Sequence, residues 1–257
     1  MLRWITRCTL MIALLLGTAG LGGCAGTPED SAEVGVAQLY DRAMDSLGSG
    51  NYSEAINRFE SLIARYPFGD YSVQSQLMII YAHHLAGQHQ SAIAAADRFI
   101  RMHPQDENVA YAIYMRGVSR QSIGPGGLGQ LLGVDANLRD PEPKRRAFFD
   151  FQELVRDFPD SEYTDNAYER MEDIREQLAA YELYITDFYL ERGAYIAAAN
   201  RAGRIISGYP GTAVVDDAMQ KLADSYRGLE LYELGDEVEQ EIARRHEVDV
   251  EDVPDIE

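Results

Sequence analysis

Four segments of the chain align without a gap, and each repeats one pattern of small, apolar and proline residues. They cover residues 55–67, 92–104, 147–159 and 198–210. Each opens on alanine, has Phe or Ala four residues later, and closes on an aromatic residue or histidine followed by proline. A recurring unit of this length with a late proline is typical of helical repeat arrays. Because such arrays bind partners on stacked helices, the pattern favours a scaffold.

Glycines divide the units into helix pairs. Gly50, Gly87 and Gly193 each lie five residues before the opening alanine, where a glycine can end one helix at a left-handed turn. The late proline ends the next helix, since proline cannot continue it. The pattern predicts an all-α solenoid of about five helix pairs.

The spacing between the units is uneven. The prolines at 67, 104, 159 and 210 are separated by 37, 55 and 51 residues. A Gly/Pro-rich insert at 124–142, inside the third pair, explains why the second interval is longer than the first. Residues 162–192 contain neither Pro nor Gly, and one long helix there would explain why the third interval is also longer. A kinked helix pair that breaks near Leu178 is the alternative.

The repeat pattern divides the chain into an N-terminal and a C-terminal part. Repeats 1–3 occupy residues 35–160 and repeats 4–5 occupy residues 161–246. In the fifth repeat we expect a turn at residues 234–236 and a short last helix at 238–246. Residues 247–257 form an acidic tail.

The first 23 residues predict a secretory signal. Arg3 and Arg7 precede a short apolar run and a stretch of small residues, which is the order found in signal peptides. The signal ends in Leu-Gly-Gly before Cys24, and this ending resembles a bacterial lipobox. That resemblance implies a diacylglycerol on the sulfur and an acyl chain on the amine of Cys24, with no other cofactor. An ordinary signal peptide with an accidental cysteine is the alternative.

The lipid would carry the membrane attachment. More than one acyl chain is needed for stable anchoring, and residues 24–34 read as a flexible tether. Ala25 follows the cysteine, where an Asp would mark retention in the inner membrane under the enteric sorting rule. We therefore expect the periplasmic face of the outer membrane.

The charge of the chain excludes several functions. Removal of residues 1–23 takes away two arginines and no acid, which lowers the formal net charge from −19 to −21. A chain this acidic, without a Lys/Arg cluster, is not expected to bind nucleic acid. General adaptation to salt is one source of such acidity, and a specific electrostatic role is the other.

No catalytic or metal-binding pattern stands out. His83 and His84 are adjacent, so a helix would point them about 100° apart, which suits a metal poorly. The glycine-rich insert lacks the Gly-Lys-Ser/Thr of phosphate loops, and Gly-x-Ser-x-Gly is absent. We expect no enzyme and no metal site.

The units resemble tetratricopeptide repeats, which implies a right-handed superhelical array. Further segments narrow the resemblance: 111–117 (Tyr-Ala-Ile-Tyr-Met-Arg-Gly), 158–163 (Phe-Pro-Asp-Ser-Glu-Tyr), Phe188-Tyr189, and 195–201 with its Tyr, Ala, Asn and Arg. With the lipobox and the insert in the third repeat, these are similar to the BamD family of lipoproteins from the β-barrel assembly machinery.

The resemblance implies a non-enzymatic scaffold. In that family the C-terminal repeats dock the periplasmic domain of BamA, other Bam lipoproteins belong to the complex, and the N-terminal repeats receive unfolded outer-membrane proteins. The alternatives are another repeat lipoprotein that tethers cell-envelope or division factors, and an accessory protein with an enzymatic site in the insert.

Four residues are candidates for partner contacts. Tyr40, Tyr81 and Tyr111 could stack against a strand that ends in Phe, although helical spacing also suits a core role. Arg201 lies in the docking half and could bind a partner carboxylate. An intramolecular pair with an acid such as Glu191 is the alternative for Arg201.

Overall fold

The computed structural model describes residues 35–124 and 140–251, with side chains as far as residue 247. Within these ranges the structure contains ten α-helices and no strand. They are α1 (Val36–Gly48), α2 (Tyr52–Arg65), α3 (Asp70–Leu85), α4 (His89–Met102), α5 (Val109–Gln121), α6 (Glu142–Asp157), α7 (Thr164–Leu190), α8 (Tyr195–Gly208), α9 (Val215–Gly228) and α10 (Tyr232–Glu251). Cys24, the tether and most of the insert lie outside the described residues.

The helices form five successive pairs, and each helix packs against the next one in the chain. The first helices of neighbouring pairs also touch: α1 packs on α3, α3 on α5, and α7 on α9. This nearest-neighbour packing is that of a helical solenoid, and it confirms the predicted fold class. The insert lies between α5 and α6, the two helices of the third pair.

The repeated positions of the second helices are the core of each pair. The opening alanine is fully buried in four of these helices, and the positions four and seven residues later are at most 1% exposed. These twelve residues are Ala55, Phe59, Leu62, Ala92, Ala96, Phe99, Ala147, Phe151, Leu154, Ala198, Ala202 and Ile205. The sequence repeat is therefore a packing repeat.

Four of the five pairs turn at a residue with positive φ, and the third pair is joined by the insert, most of which lies outside the described residues. Gly50, Gly87 and Gly193 have φ of 76°, 70° and 70°. In the fifth pair the same place is taken by Glu230, with φ of 63°. A side chain with a Cβ pays a steric cost in this conformation.

The expected turn at residues 234–236 is wrong, because α10 already begins at Tyr232. Gly235 lies inside this helix, and a Cβ on it would lie 3.3 Å from Cγ of Arg227 and 3.4 Å from the carbonyl oxygen of Ala223 on α9. It thus occupies the place that alanine holds in the other second helices. The helix also continues to Glu251, so the tail assigned to residues 247–257 is helical in its first part.

The helix α7 has 27 residues and runs without a break through Leu178. Ala167 and Ile174 belong to the core built mainly by α3–α6, whereas Ala179 belongs to the core shared with α8 and α9. A single helix therefore joins repeats 1–3 to repeats 4–5.

A close approach at Gly117 generates the first prediction. A Cβ on Gly117 of α5 would lie 2.8 Å from Cε1 of Phe151 on α6, which is fully buried. Gly117→Ala should lower the free energy of unfolding by about 1–3 kcal/mol, because the ring must shift in a packed core. Thermal or urea denaturation measures this change in the free energy of unfolding.

Gly203→Ala is the matched control. Gly203 also lies inside a helix, α8, but a Cβ there would meet nothing within 4 Å. This substitution should raise stability by about 0.5–1 kcal/mol through helix propensity. Similar effects of the two substitutions would contradict the close packing at Gly117.

The strained turn at Glu230 generates the second prediction. Glu230→Gly should raise the free energy of unfolding by about 1 kcal/mol, because glycine adopts positive φ without a Cβ clash. Glu230→Ala removes the same carboxylate but keeps the Cβ, so it should give no such gain. If alanine stabilised the chain as much as glycine, charge rather than backbone strain would be responsible.

Candidate partner-binding surfaces

Tyrosines lie on the first helices of repeats 1–3 and at the residue just before α7. We define the tyrosine face as Tyr40, Tyr71, Tyr81, Tyr111, Tyr114 and Tyr163. The rings of Tyr40 and Tyr71 have centroids 5.4 Å apart, and those of Tyr114 and Tyr163 stack at 4.9 Å. These distances suit favourable aromatic pairs, and the rings form two clusters, Tyr40 with Tyr71 and Tyr163 with both Tyr111 and Tyr114.

The three tyrosines singled out from the sequence differ in their burial. Tyr40 packs against Phe59 at 5.6 Å, and burial raises its pKa above the ordinary value. Burial also raises the pKa of Tyr111, with smaller contributions from Tyr163 and Tyr81. Tyr81 is 37% exposed. Tyr40 and Tyr111 therefore support the face from the core side, and Tyr81 offers a ring to solvent.

Arg170 adds a positive charge beside these rings. Its guanidinium carbon lies 5.7 Å from the centroid of Tyr114. Its Nε donates to Asn166 Oδ1 at 2.8 Å, and its Nη1 donates to Gln121 Oε1 at 2.7 Å. All of these groups are neutral, so Arg170 keeps its charge available to a partner carboxylate.

The structure places Arg201 in an intramolecular ion pair. Its Nη1 donates to Oε2 of Glu182 on α7 at 2.6 Å, and this bond raises the pKa of Arg201. Oε1 of Glu182 receives a second, longer bond of 3.3 Å from Nη2 of Arg145 on α6. Glu182, which is only 4% exposed, is thus the partner acid rather than Glu191. A docking role for Arg201 stays a prediction, and it would have to act with this pair in place.

Large apolar side chains are exposed at the turn edge of repeats 4 and 5. We define this turn-edge patch as Phe188, Ile196, Leu231, Tyr232 and Leu234, which are 40–67% exposed. The ring of Tyr195 packs directly over Gly228, where no Cβ would fit. This contact holds the start of α8 against the end of α9, so the exposed residues share one edge.

The two adjacent histidines have separate partners. His83 Nδ1 lies 2.8 Å from Gln88 Oε1, whereas His84 Nδ1 lies 3.1 Å from Ser119 Oγ. Burial lowers the pKa of His84, with the charge of Arg170 adding to the shift. Within residues 35–124 and 140–247, no group of three or more His, Cys, Asp or Glu could hold a metal ion.

Sequence reasoning missed Glu182 and the turn-edge patch for different reasons. The partner of Arg201 lies 19 residues away on another helix, and no local signal identifies it. The patch had a local signal, because Ile196 and Tyr232 are large apolar residues on positions that helical periodicity assigns to solvent.

In the described part of the chain, no helix has the length and hydropathy that crossing a membrane requires.

Comparisons with known proteins give a consistent result. A family model described as "YfiO: Outer membrane lipoprotein" matches residues 32–241. The protein "Outer membrane protein assembly factor BamD" of Vibrio cholerae is 37% identical over 217 residues, which cover 84% of this chain and 90% of that protein. The protein of the same name from Neisseria meningitidis serogroup B is 38% identical over 227 residues, covering 86% and 85%.

A solved structure was also similar. The MamA protein is 16% identical, and the match covers 86% of this chain and 97% of MamA with a TM-score of 0.35. That score is too low to carry weight. The family match and the two relatives each span most of the chain, and the chain therefore belongs to the YfiO family of outer membrane lipoproteins.

Proposed function

We propose that the chain is a non-catalytic, lipid-anchored subunit of the machinery that assembles outer-membrane β-barrel proteins. The observation that carries the proposal is the match to outer membrane protein assembly factors over at least 84% of the chain. A solenoid suits such a role, since stacked repeats create extended surfaces on which partners bind. The anchor would be the lipid on Cys24, at the periplasmic face of the outer membrane.

The tyrosine face is the proposed receiving surface for unfolded outer-membrane proteins. An extended strand that ends in an aromatic residue could stack its rings on the exposed ring of Tyr81 and on the tyrosines near it. Each aromatic contact of this kind contributes about 0.5–1.5 kcal/mol. The guanidinium of Arg170 supplies charge complementary to a strand's carboxylates, which the acidic remainder of the chain would otherwise repel.

The turn-edge patch is the proposed docking surface for the periplasmic domain of BamA. Its exposed residues are large and apolar, and two of them, Phe188 and Tyr232, belong to the aromatic types that are enriched at protein interfaces. It belongs to repeats 4 and 5, the part for which the family resemblance implies docking. Other Bam lipoproteins are expected in the same complex.

The docking proposal is tested by copurification from detergent-extracted outer membranes. Ile196→Asp should abolish copurification of BamA, because burying an unpaired carboxylate in an apolar interface costs several kcal/mol. Ile196 is 67% exposed in the free chain, so the chain itself should keep its stability. Circular dichroism and thermal denaturation check this.

Met102→Asp is the matched control. Met102 is a similarly exposed apolar residue, at 59%, but it lies at the end of α4 in repeat 2. BamA should copurify with this variant as with the parent chain. Equal recovery of BamA with both variants would refute docking at the turn-edge patch.

The receiving surface is tested with a synthetic peptide. The peptide carries the last strand of an outer-membrane β-barrel protein, ends in Phe and is followed by fluorescence anisotropy. Tyr81→Ala should weaken its binding about 5–10-fold, in line with the loss of one aromatic contact. Tyr168→Ala is the control, because Tyr168 is also exposed, at 53%, but lies on α7 and does not belong to the tyrosine face. Equal affinity of the two variants would place the peptide elsewhere.

A further inference from the structure

A cationic pocket of about 430 Å³ lies between α1 and α2, the two helices of repeat 1. Ile63 and Ala64 of α2 face the following repeat, and the pocket lies on the other side of this helix, which no earlier repeat covers in the described part of the chain. We call it the repeat-1 pocket. Three arginines, one glutamate and two neutral polar residues contribute to its lining: Arg42, Arg58, Arg65, Glu54, Asn57 and Ser61.

The arginines of this pocket are distant in the sequence and are brought together by the fold. Arg58 reaches from α2 to α1, where its Nη1 donates to the carbonyl oxygen of Arg42 at 3.4 Å. Its Nε donates to Oε1 of Glu54 at 2.7 Å. Glu54 is the single acid among the described residues that line the pocket, and the guanidinium of Arg42 makes no ion pair with a described residue. The pocket therefore carries a surplus of positive charge.

The arginines at the other end of the array are paired with acids. Arg244 lies 2.6 Å from Glu241, and Arg245 lies 3.8 Å from Asp216. Terminal repeats need a polar outer face for solubility, and paired charges meet that need. A surplus of arginines in a chain with a formal net charge of −19 goes beyond it. The repeat-1 pocket is therefore suited to an anionic ligand.

The side chains of the pocket match the chemistry of a phosphate group. A guanidinium presents a planar set of N–H donors that fits two phosphate oxygens at once. Arg42 and Arg58 supply two such groups on facing helices, and the side-chain amide of Asn57 supplies a further donor. A phosphodiester with one negative charge would offset the repulsion between the two guanidinium groups.

The position of the pocket favours a lipid headgroup as the source of the phosphate. Val36, the first residue of α1, follows Cys24 by twelve residues, which reach at most about 40 Å. Under the proposed function, on which this inference rests, the lipid on Cys24 keeps repeat 1 within that distance of the bilayer. Salt screens charges more than about 8 Å apart, so the acidic repeats further along do not prevent a local contact.

We propose that the repeat-1 pocket binds the phosphate of an anionic phospholipid and holds repeat 1 against the membrane surface. The lipid anchor would supply the attachment, and the pocket would supply the orientation. A zwitterionic phospholipid fits less well, because its ammonium group would lie close to the arginines.

The test supplies its own tether, so it does not depend on the lipidation of Cys24. Residues 24–257, with Cys24→Ser and an N-terminal hexahistidine, are attached to a nickel-chelating lipid. Ser53→Cys, at the exposed start of α2, carries a fluorophore, and energy transfer to a headgroup-labelled lipid reports how close repeat 1 lies to the bilayer. Transfer should be at least twofold higher on vesicles with about 30% phosphatidylglycerol than on pure phosphatidylcholine. Raised salt should remove the difference.

Arg42→Glu and Arg101→Glu are a matched pair of variants. They change the net charge equally, but Arg101 lies near the end of α4 and does not line the pocket. Arg42→Glu should abolish the gain in energy transfer, and Arg101→Glu should retain it, with thermal denaturation showing that both variants are folded.

Two results would overturn the proposal. One is equal energy transfer on the two kinds of vesicle. The other is an equal loss in both glutamate variants, because net charge rather than the repeat-1 pocket would then control the approach to the membrane. Neither result would contradict the lipid anchor of the proposed function, since the nickel-chelating lipid replaces that anchor in the assay.

Discussion

The close contact between the two helices of each pair is the constraint on which the rest of the array depends. Each second helix opens with a residue small enough for its partner to approach, alanine in four pairs and Gly235 in the fifth. One turn further along the second helix, the sizes of the side chains on the two helices of a pair are complementary. Ala43 shares a core with Phe59, and Gly117 faces Phe151, whereas Ile80 shares a core with Ala96. A large residue on one helix is thus accommodated by a small one on the other, as native packing density requires.

Buried charges set the register between neighbouring helices, both within a pair and between successive pairs. Asp150 on α6 accepts bonds from Arg116 Nε at 2.9 Å and from Arg120 Nη1 at 2.6 Å, both on α5. Glu182 on α7 plays the same part between α6 and α8. Such pairs add little net stability, because desolvation offsets their attraction, but removal of one partner leaves a costly unpaired charge. A helix that slipped by one turn would break these pairs, so they specify one arrangement of the array.

The fold could be predicted from the sequence where packing repeats leave a residue pattern. The buried alanines, the late prolines and three of the turn glycines were all visible. The turn of the fifth pair was predicted at the wrong place because two positions depart from the pattern. Glu230 occupies the turn position where the other pairs have glycine, and Gly235 occupies the packing position where they have alanine. The candidate site was less predictable. The sequence identified Tyr40, Tyr81 and Tyr111 as candidates. Their burial depends on tertiary packing, which covers Tyr40 and Tyr111 more than Tyr81. The pairing of Arg201 with Glu182 likewise depends on the angle between helices, which no local pattern encodes.

The helix α7 determines what the array can do mechanically. A helix of 27 residues spans about 40 Å at 1.5 Å per residue, and its two ends lie in different cores. It replaces a loop connection that would let the halves move independently. Under the proposed function, the tyrosine face and the turn-edge patch therefore stand at a fixed separation. A chain received at the first surface would be presented at a constant position relative to a partner docked at the second.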